Sequence, residues 1–178
     1  YRTLFILPDI YSSRNVIIHF GGVNSSFVLY INGKEVGFSQ GSHMPSEFDI
    51  TEYVHPGANL VAVEVYKISV SSYLECQDFY RLSGIFREVY LYSTHKISII
   101  DFKVKTTLND LSVNILASQT KNTSFSYELY DMEDTLIFSK STVNPFIDIH
   151  IEGVLPWTSE TPNLYTLILQ LKDPKGAV

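Results

Sequence analysis

An all-β fold, arranged as two β-sandwiches in tandem, is what this sequence of 178 residues predicts. Three observations lead there. Apolar residues recur with a period of two rather than 3.6. The segments that carry this period are rich in Val, Ile, Tyr and Phe, the residues that pack well on a pleated surface. Turn signals separate them at short intervals, giving about eleven candidate strands, more than the seven of one immunoglobulin-like sandwich. No stretch carries the pattern of a long helix.

The elements follow in chain order. Val16–Phe20 reads as a strand, and so do Phe27–Ile31 and Lys34–Ser39. Asn32-Gly33 joins the last two, because this pair supplies the two positive φ angles of a type I′ hairpin. Asp49-Ile50-Thr51-Glu52 is expected to cap a single helical turn, and His55-Pro56-Gly57 marks a second turn. In Leu60–Tyr66 the residues Val61, Val63 and Val65 share one face. Ile85–Tyr92 is the next strand, and the polar run Ser93-Thr94-His95-Lys96 then breaks the pattern. The domains are therefore expected at 1–94 and 95–178. Beyond the join, Ile97–Lys105, Leu111–Ala117 and Thr135–Ser139 read as strands. Phe125, Tyr127 and Leu129 alternate with Ser124, Ser126 and Glu128, and Ile147, Ile149 and Ile151 oppose Asp148, His150 and Glu152. Tyr165, Leu167, Leu169 and Leu171 close the series against Thr166, Gln170 and Lys172. Each is a strand with one wet face.

Composition narrows the function. Hydrophobic residues make up 45% and charged residues 18%, which excludes intrinsic disorder. Thirteen Lys and Arg against nineteen Asp and Glu leave a net charge of −6, so neither nucleic acid nor an anionic membrane is an expected partner. No apolar run approaches the ~20 residues of a membrane-crossing helix. Tyr1-Arg2-Thr3-Leu4-Phe5 lacks the charged and apolar regions of a signal peptide, and cytoplasmic and periplasmic locations both stay open. The single Cys76 has no partner for a disulfide or a zinc pattern.

One long segment, residues 71–84, does not read as a strand. It gathers Glu75, Gln77, Asp78 and Arg81 among Tyr73, Phe79 and Tyr80. Loops on rigid sandwiches are where binding residues collect, and polar groups among aromatic rings suit sugars. The plainer reading is a loop in which Arg81 pairs with Asp78. Asn24, beside Gly21-Gly22, is a second candidate. Its amide both donates and accepts, as a hydroxyl network requires, and the plainer reading is a turn residue. Glu75 and Asp78 do not read as a glycosidase's catalytic pair. The five histidines are scattered and lack metal-ligand spacing, and neither a Gly-x-Ser-x-Gly elbow nor a phosphate loop is present.

Longer motifs carry a resemblance. Gly22-Val23-Asn24-Ser25-Ser26-Phe27, Tyr30-Ile31-Asn32-Gly33-Lys34-Glu35-Val36-Gly37-Phe38-Ser39-Gln40 and Pro45-Ser46-Glu47-Phe48-Asp49-Ile50 occur in order and spacing as in the N-terminal domain of family 2 glycoside hydrolases of the β-galactosidase type. The run from Ser72 to Val89, with Tyr73-Leu74-Glu75-Cys76-Gln77-Asp78 and Arg81-Leu82-Ser83-Gly84-Ile85-Phe86-Arg87-Glu88, resembles that family's most distinctive N-terminal signature. Leu155-Pro156-Trp157-Thr158-Ser159-Glu160-Thr161-Pro162-Asn163-Leu164-Tyr165 is similar to the end of its next domain.

This resemblance implies a jelly-roll sugar-binding domain, an immunoglobulin-like domain, and then a (β/α)₈ barrel that holds both catalytic glutamates and is not among these residues. Tyr1 would stand in the middle of the first domain, with leading strands lying outside this sequence. By position, Asn24 matches an Asn that bonds galactose hydroxyls. Asp78 matches an Asp that reaches both the sugar and a sodium ion, while the other sodium ligands and the magnesium ligands would come from the barrel. Tyr80 and Cys76 depart from the Trp and Asp of the best-known members. Arg81 is expected to serve structure, and Trp157 to plug the mouth of the second sandwich.

The expected function is a non-catalytic part of a retaining β-galactosidase, inactive alone, whose partners are the β-galactoside, the enzyme's own barrel and, at full length, further copies of itself. Three other readings stand beside it: a self-sufficient carbohydrate-binding module, a pair of domains serving oligomer contacts, and the same region of a β-glucuronidase or β-mannosidase.

Overall fold

The computed structural model describes the chain except for residues 76, 77, 79, 81 and 174–178. It is all-β and divides into two compact units, Tyr1–Lys96 and Ile97–Val178.

The first unit contains β1 (Arg2–Leu7), β2 (Asn15–Phe20), β3 (Val23–Asn24), β4 (Ser26–Ile31), β5 (Lys34–Gln40), β6 (Ser46–Asp49), β7 (Gly57–Tyr66), β8 (Gly84–Ile85) and β9 (Val89–Thr94). One sheet runs β1-β7-β4-β5, a second β6-β2-β9, and β3 pairs with β8 alone. Val16, Ile18 and Phe20 of β2 and Phe27, Leu29 and Ile31 of β4 are buried in one cluster, so the two larger sheets pack face to face. The two-residue period of the sequence supplies those inward faces. Asn32 and Gly33 turn the β4–β5 hairpin with φ of 51° and 80°, the geometry that a type I′ turn requires. Asp49 caps the following turn, its Oδ1 accepting from the N–H and the hydroxyl of Thr51. Asn59 is 1% exposed and locks the loop before β7. Its Nδ2 donates to His55 O and Gly57 O, and its Oδ1 accepts from His55 N and Asn32 Nδ2.

Three strands lie outside the expected set: β1, β3 and β6. Leu4 and Ile6 of β1 point outward and are exposed, so its period is not that of a half-buried strand. The pairing of β3 with β8 joins residues about sixty apart, beyond the reach of local pattern. The expected strand over Ile85–Tyr92 is interrupted, since β8 ends at Ile85 and β9 begins at Val89.

The second unit contains β10 (Ile99–Thr106), β11 (Asp110–Ala117), β12 (Ser124–Tyr130), β13 (Leu136–Thr142), β14 (Phe146–His150) and β15 (Thr166–Lys172). Two three-stranded sheets, β10-β11-β14 and β13-β12-β15, enclose a core of Leu111, Val113, Ile115, Phe125, Tyr127, Leu129, Ile147 and Leu171. Between β14 and β15 no strand forms. Hydrogen bonds from Leu155 N to Tyr165 Oη and from Asn163 Nδ2 to Pro156 O hold that segment in shape. Trp157, expected as a plug, is 62% exposed: the loop's own bonding turns its indole outward.

Candidate functional site

Asn24 ends the two-residue strand β3, where it stands opposite Gly84 of β8. The next residue, Ser25, follows a cis peptide bond, and both its N–H and its Oγ donate to Tyr66 O at 3.1 Å. Tyr66 is the last residue of β7 and Gly84 the first of β8. The long loop between them therefore leaves the sheet beside Ser25 and returns beside Asn24. Asp78 lies six positions before Gly84, and an extended chain of that length spans only about 20 Å. That length bounds how far Asp78 lies from Gly84, the residue opposite Asn24. Asn24 is half-buried and Asp78 exposed.

Local packing keeps this corner shaped. Gly84 has a φ of +126°, and a Cβ there would come within 2.7 Å of Tyr1 Oη. A Cβ on Gly22 would meet Phe86 Cζ at 2.8 Å. Beside them, Arg87 Nη1 donates to Gly21 O at 3.2 Å and His43 O at 2.9 Å, with its guanidinium carbon 5.3 Å from the centre of the Phe86 ring. Residues Ser72–Glu75 form one helical turn, α1, in which Ser72 Oγ accepts from Ser69 N. Glu75 closes a clamp across the loop. Its Oε2 accepts from Ser42 N at 3.0 Å and from Ser42 Oγ at 2.6 Å, and Ser42 is buried. Glu75, a binding candidate on residue type, is thus a fastener. Tyr66 Oη donates to the Glu64 carboxylate, which holds the phenol's pKa above its ordinary value.

The chemistry that Asn24 and Asp78 offer is hydrogen bonding. Asn24 offers a donor and an acceptor, and Asp78 an acceptor-only carboxylate when ionised. A hard oxygen of that kind suits a sodium ion, but one carboxylate is a fraction of a coordination shell. Among the described residues no three His, Cys, Asp or Glu side chains gather as a metal site. Tyr73, Leu74, Tyr80 and Leu82 expose apolar surface along the same loop. Gln77, Arg81 and Cys76 lie outside the described residues, and so does the Arg81–Asp78 pairing. Sequence reasoning missed Ser42, Tyr66 and Tyr1, whose roles arise from contacts across the fold. Only Gly84, in Ser83-Gly84 ahead of a strand, left a local trace.

Two family descriptions match the chain: "Glycosyl hydrolases family 2, sugar binding domain" over residues 1–95 and "Glycosyl hydrolases family 2" over residues 88–178. Among curated relatives, a β-galactosidase of Priestia megaterium is 40% identical over all of this chain, and one of Clostridium acetobutylicum is 37% identical over 99% of it. The chain spans about a fifth of their length, 19% and 21% respectively. Among solved structures, a β-glucuronidase of an uncultured Clostridium species matches 96% of this chain and 32% of its own, with a TM-score of 0.78 and 26% identity. A β-glucuronidase of Bacteroides uniformis matches 98% of this chain and 24% of its own, with a TM-score of 0.82 at 21% identity, a likeness of fold alone. The two matched domains together run the whole length of the sequence, and the chain belongs to glycoside hydrolase family 2.

Proposed function

We propose that this chain is the sugar-facing, non-catalytic part of a retaining β-galactosidase, and that Asn24 and Asp78 form one wall of its galactose pocket. The observation that supports this reading is the return of the 67–83 loop to the strand opposite Asn24 through β3 and β8, with Asp78 six positions before Gly84. Identity favours galactosides over glucuronides, because the β-galactosidases are 40% and 37% identical where the β-glucuronidase is 26% identical. In this reading the reacting carboxylates lie on a separate barrel domain, the principal partner of this chain, and the isolated chain is inactive. One carboxylate forms the glycosyl-enzyme and the other serves as acid and then base, the retaining scheme. This chain's residues bind and orient. Asn24 donates to and accepts from sugar hydroxyls, while Asp78 accepts from a hydroxyl and lends an oxygen to sodium. Sodium and magnesium act in the complete enzyme, which assembles as a homo-oligomer.

The test is Asp78→Asn in the full-length enzyme. Contacts to hydroxyls that tighten at the transition state lower kcat/KM when lost, and one charge-assisted hydrogen bond amounts to about 1.5–3 kcal/mol, or roughly 10- to 150-fold. An unchanged kcat/KM, at any sodium concentration, removes Asp78 from the site.

A further inference from the structure

The second unit contains a cavity that the reading above does not use. It measures about 560 Å³ and opens at the end of the sandwich between the β10–β11 turn and the loop that precedes β15. Its floor is the unit's own core, with Leu111, Leu129, Ile151 and Leu167 exposing apolar atoms to the opening. That size lies within the roughly 300–1,000 Å³ of small-molecule sites, which are mostly apolar with a few polar groups that set orientation.

The rim is polar and its groups are open to a ligand. The Asn109 side-chain amide and the Trp157 indole N–H have no partner among the described residues. Asn163 bonds Pro156 O through its Nδ2 and leaves its Oδ1 as a free acceptor. The loop that carries Trp157 is built rather than loose. Thr158 N donates to Thr161 O and Thr161 N to Thr158 Oγ1, and Leu155 N is tied to Tyr165 Oη. Its indole is held outward at low entropic cost, the condition for a preorganised aromatic platform.

We propose that this cavity is a binding site for an amphipathic small molecule, with an alkyl or aryl body inside and a hydroxylated head at the rim. The apolar floor takes the body, since each buried CH₂ contributes about 0.8 kcal/mol. The head meets Asn109, Asn163 and the indole face of Trp157, whose flat apolar surface suits the C–H face of a sugar ring. An alkyl glycoside has this form. The site lies wholly in the second unit and stands independently of the galactose-pocket reading.

Trp157 is the one tryptophan of the chain, so its fluorescence reports on this cavity alone. The experiment is a titration of the full chain with octyl β-D-galactoside below its micelle concentration, followed by Trp157 emission and by calorimetry. Galactose and octanol are titrated in parallel. The expected result is a saturable blue shift with octyl galactoside, and binding at least tenfold weaker for either half alone. Val104→Phe narrows the cavity with a larger ring at its lining and is expected to weaken binding by tenfold or more. Asn109→Ala removes an amide that bonds nothing else and should weaken it by about three- to tenfold, the equivalent of one hydrogen bond. Circular dichroism checks that each variant is folded, and methyl shifts of Leu111 and Leu129 locate the ligand in the wild-type chain even where Val104→Phe fails to fold. No saturable response overturns the proposal. So does equal binding of galactose or octanol alone, binding unaltered by a folded Val104→Phe chain, or ligand-induced shifts that bypass the two leucines.

Discussion

Replacing Glu75 with Ala should release the loop that bears Asp78 while leaving the two sandwiches intact. Glu75 Oε2 accepts two hydrogen bonds from Ser42, at 3.0 Å from the backbone N–H and 2.6 Å from the hydroxyl. Ser42 is 3% exposed, so neither donor regains water without a local opening. Bonds to a charged acceptor contribute about 1.5–3 kcal/mol each; with Glu75 half-buried and one donor a rotatable hydroxyl, the pair amounts to about 2–4 kcal/mol. At 1.4 kcal/mol per tenfold, that is about 30- to 1,000-fold more frequent opening. Native-state hydrogen exchange reads this at the Ser42 amide, which should lose protection by that factor while Leu29 and Val63 in the sheet keep theirs. Glu75→Gln retains an acceptor without the charge and should lose about tenfold. Wild-type exchange at Ser42 in the Ala variant refutes the clamp. An equal loss across the whole first unit refutes its local character.

Three further outcomes are expected. Gly84→Ala places a Cβ 2.7 Å from Tyr1 Oη at a φ of +126°, so urea unfolding of the first unit should show a loss of about 1–3 kcal/mol or more. Tyr127→Phe keeps the packing of a fully buried ring but removes the hydroxyl that donates to Asn144 O at 3.2 Å, and the second unit should lose about 1 kcal/mol in the same assay. The Asp110 carboxyl is held below its ordinary pKa, first by the hydrogen bond from His150 and then by that from Thr107. A depressed carboxyl stabilises the fold above its unfolded value of about 4, and that contribution disappears as pH falls through the folded value. Acid titration should therefore show the Asp110 carbon resonance moving at lower pH in the wild type than in His150→Ala. Coincident curves would contradict the pairing.

The sequence alone determined the strands that alternate cleanly, because a period of two with one buried face is written into adjacent residues. Val61, Val63 and Val65 turn inward as their spacing dictates, and Asn32-Gly33 makes its turn because the two positive φ angles are local properties of those residues. Family membership was legible as well, carried by ordered motifs that need no coordinates to be read. Tertiary structure decided the rest. β1 pairs although Leu4 and Ile6 face solvent, and β3 exists only because β8 lies opposite it. Glu75 became a clamp because Ser42, thirty-three residues away, is buried within its reach. Trp157 lines an open cavity and stays exposed, on a loop held in shape by its own hydrogen bonds. In each case the deciding partner is distant along the chain, and only the folded backbone fixes that distance in space.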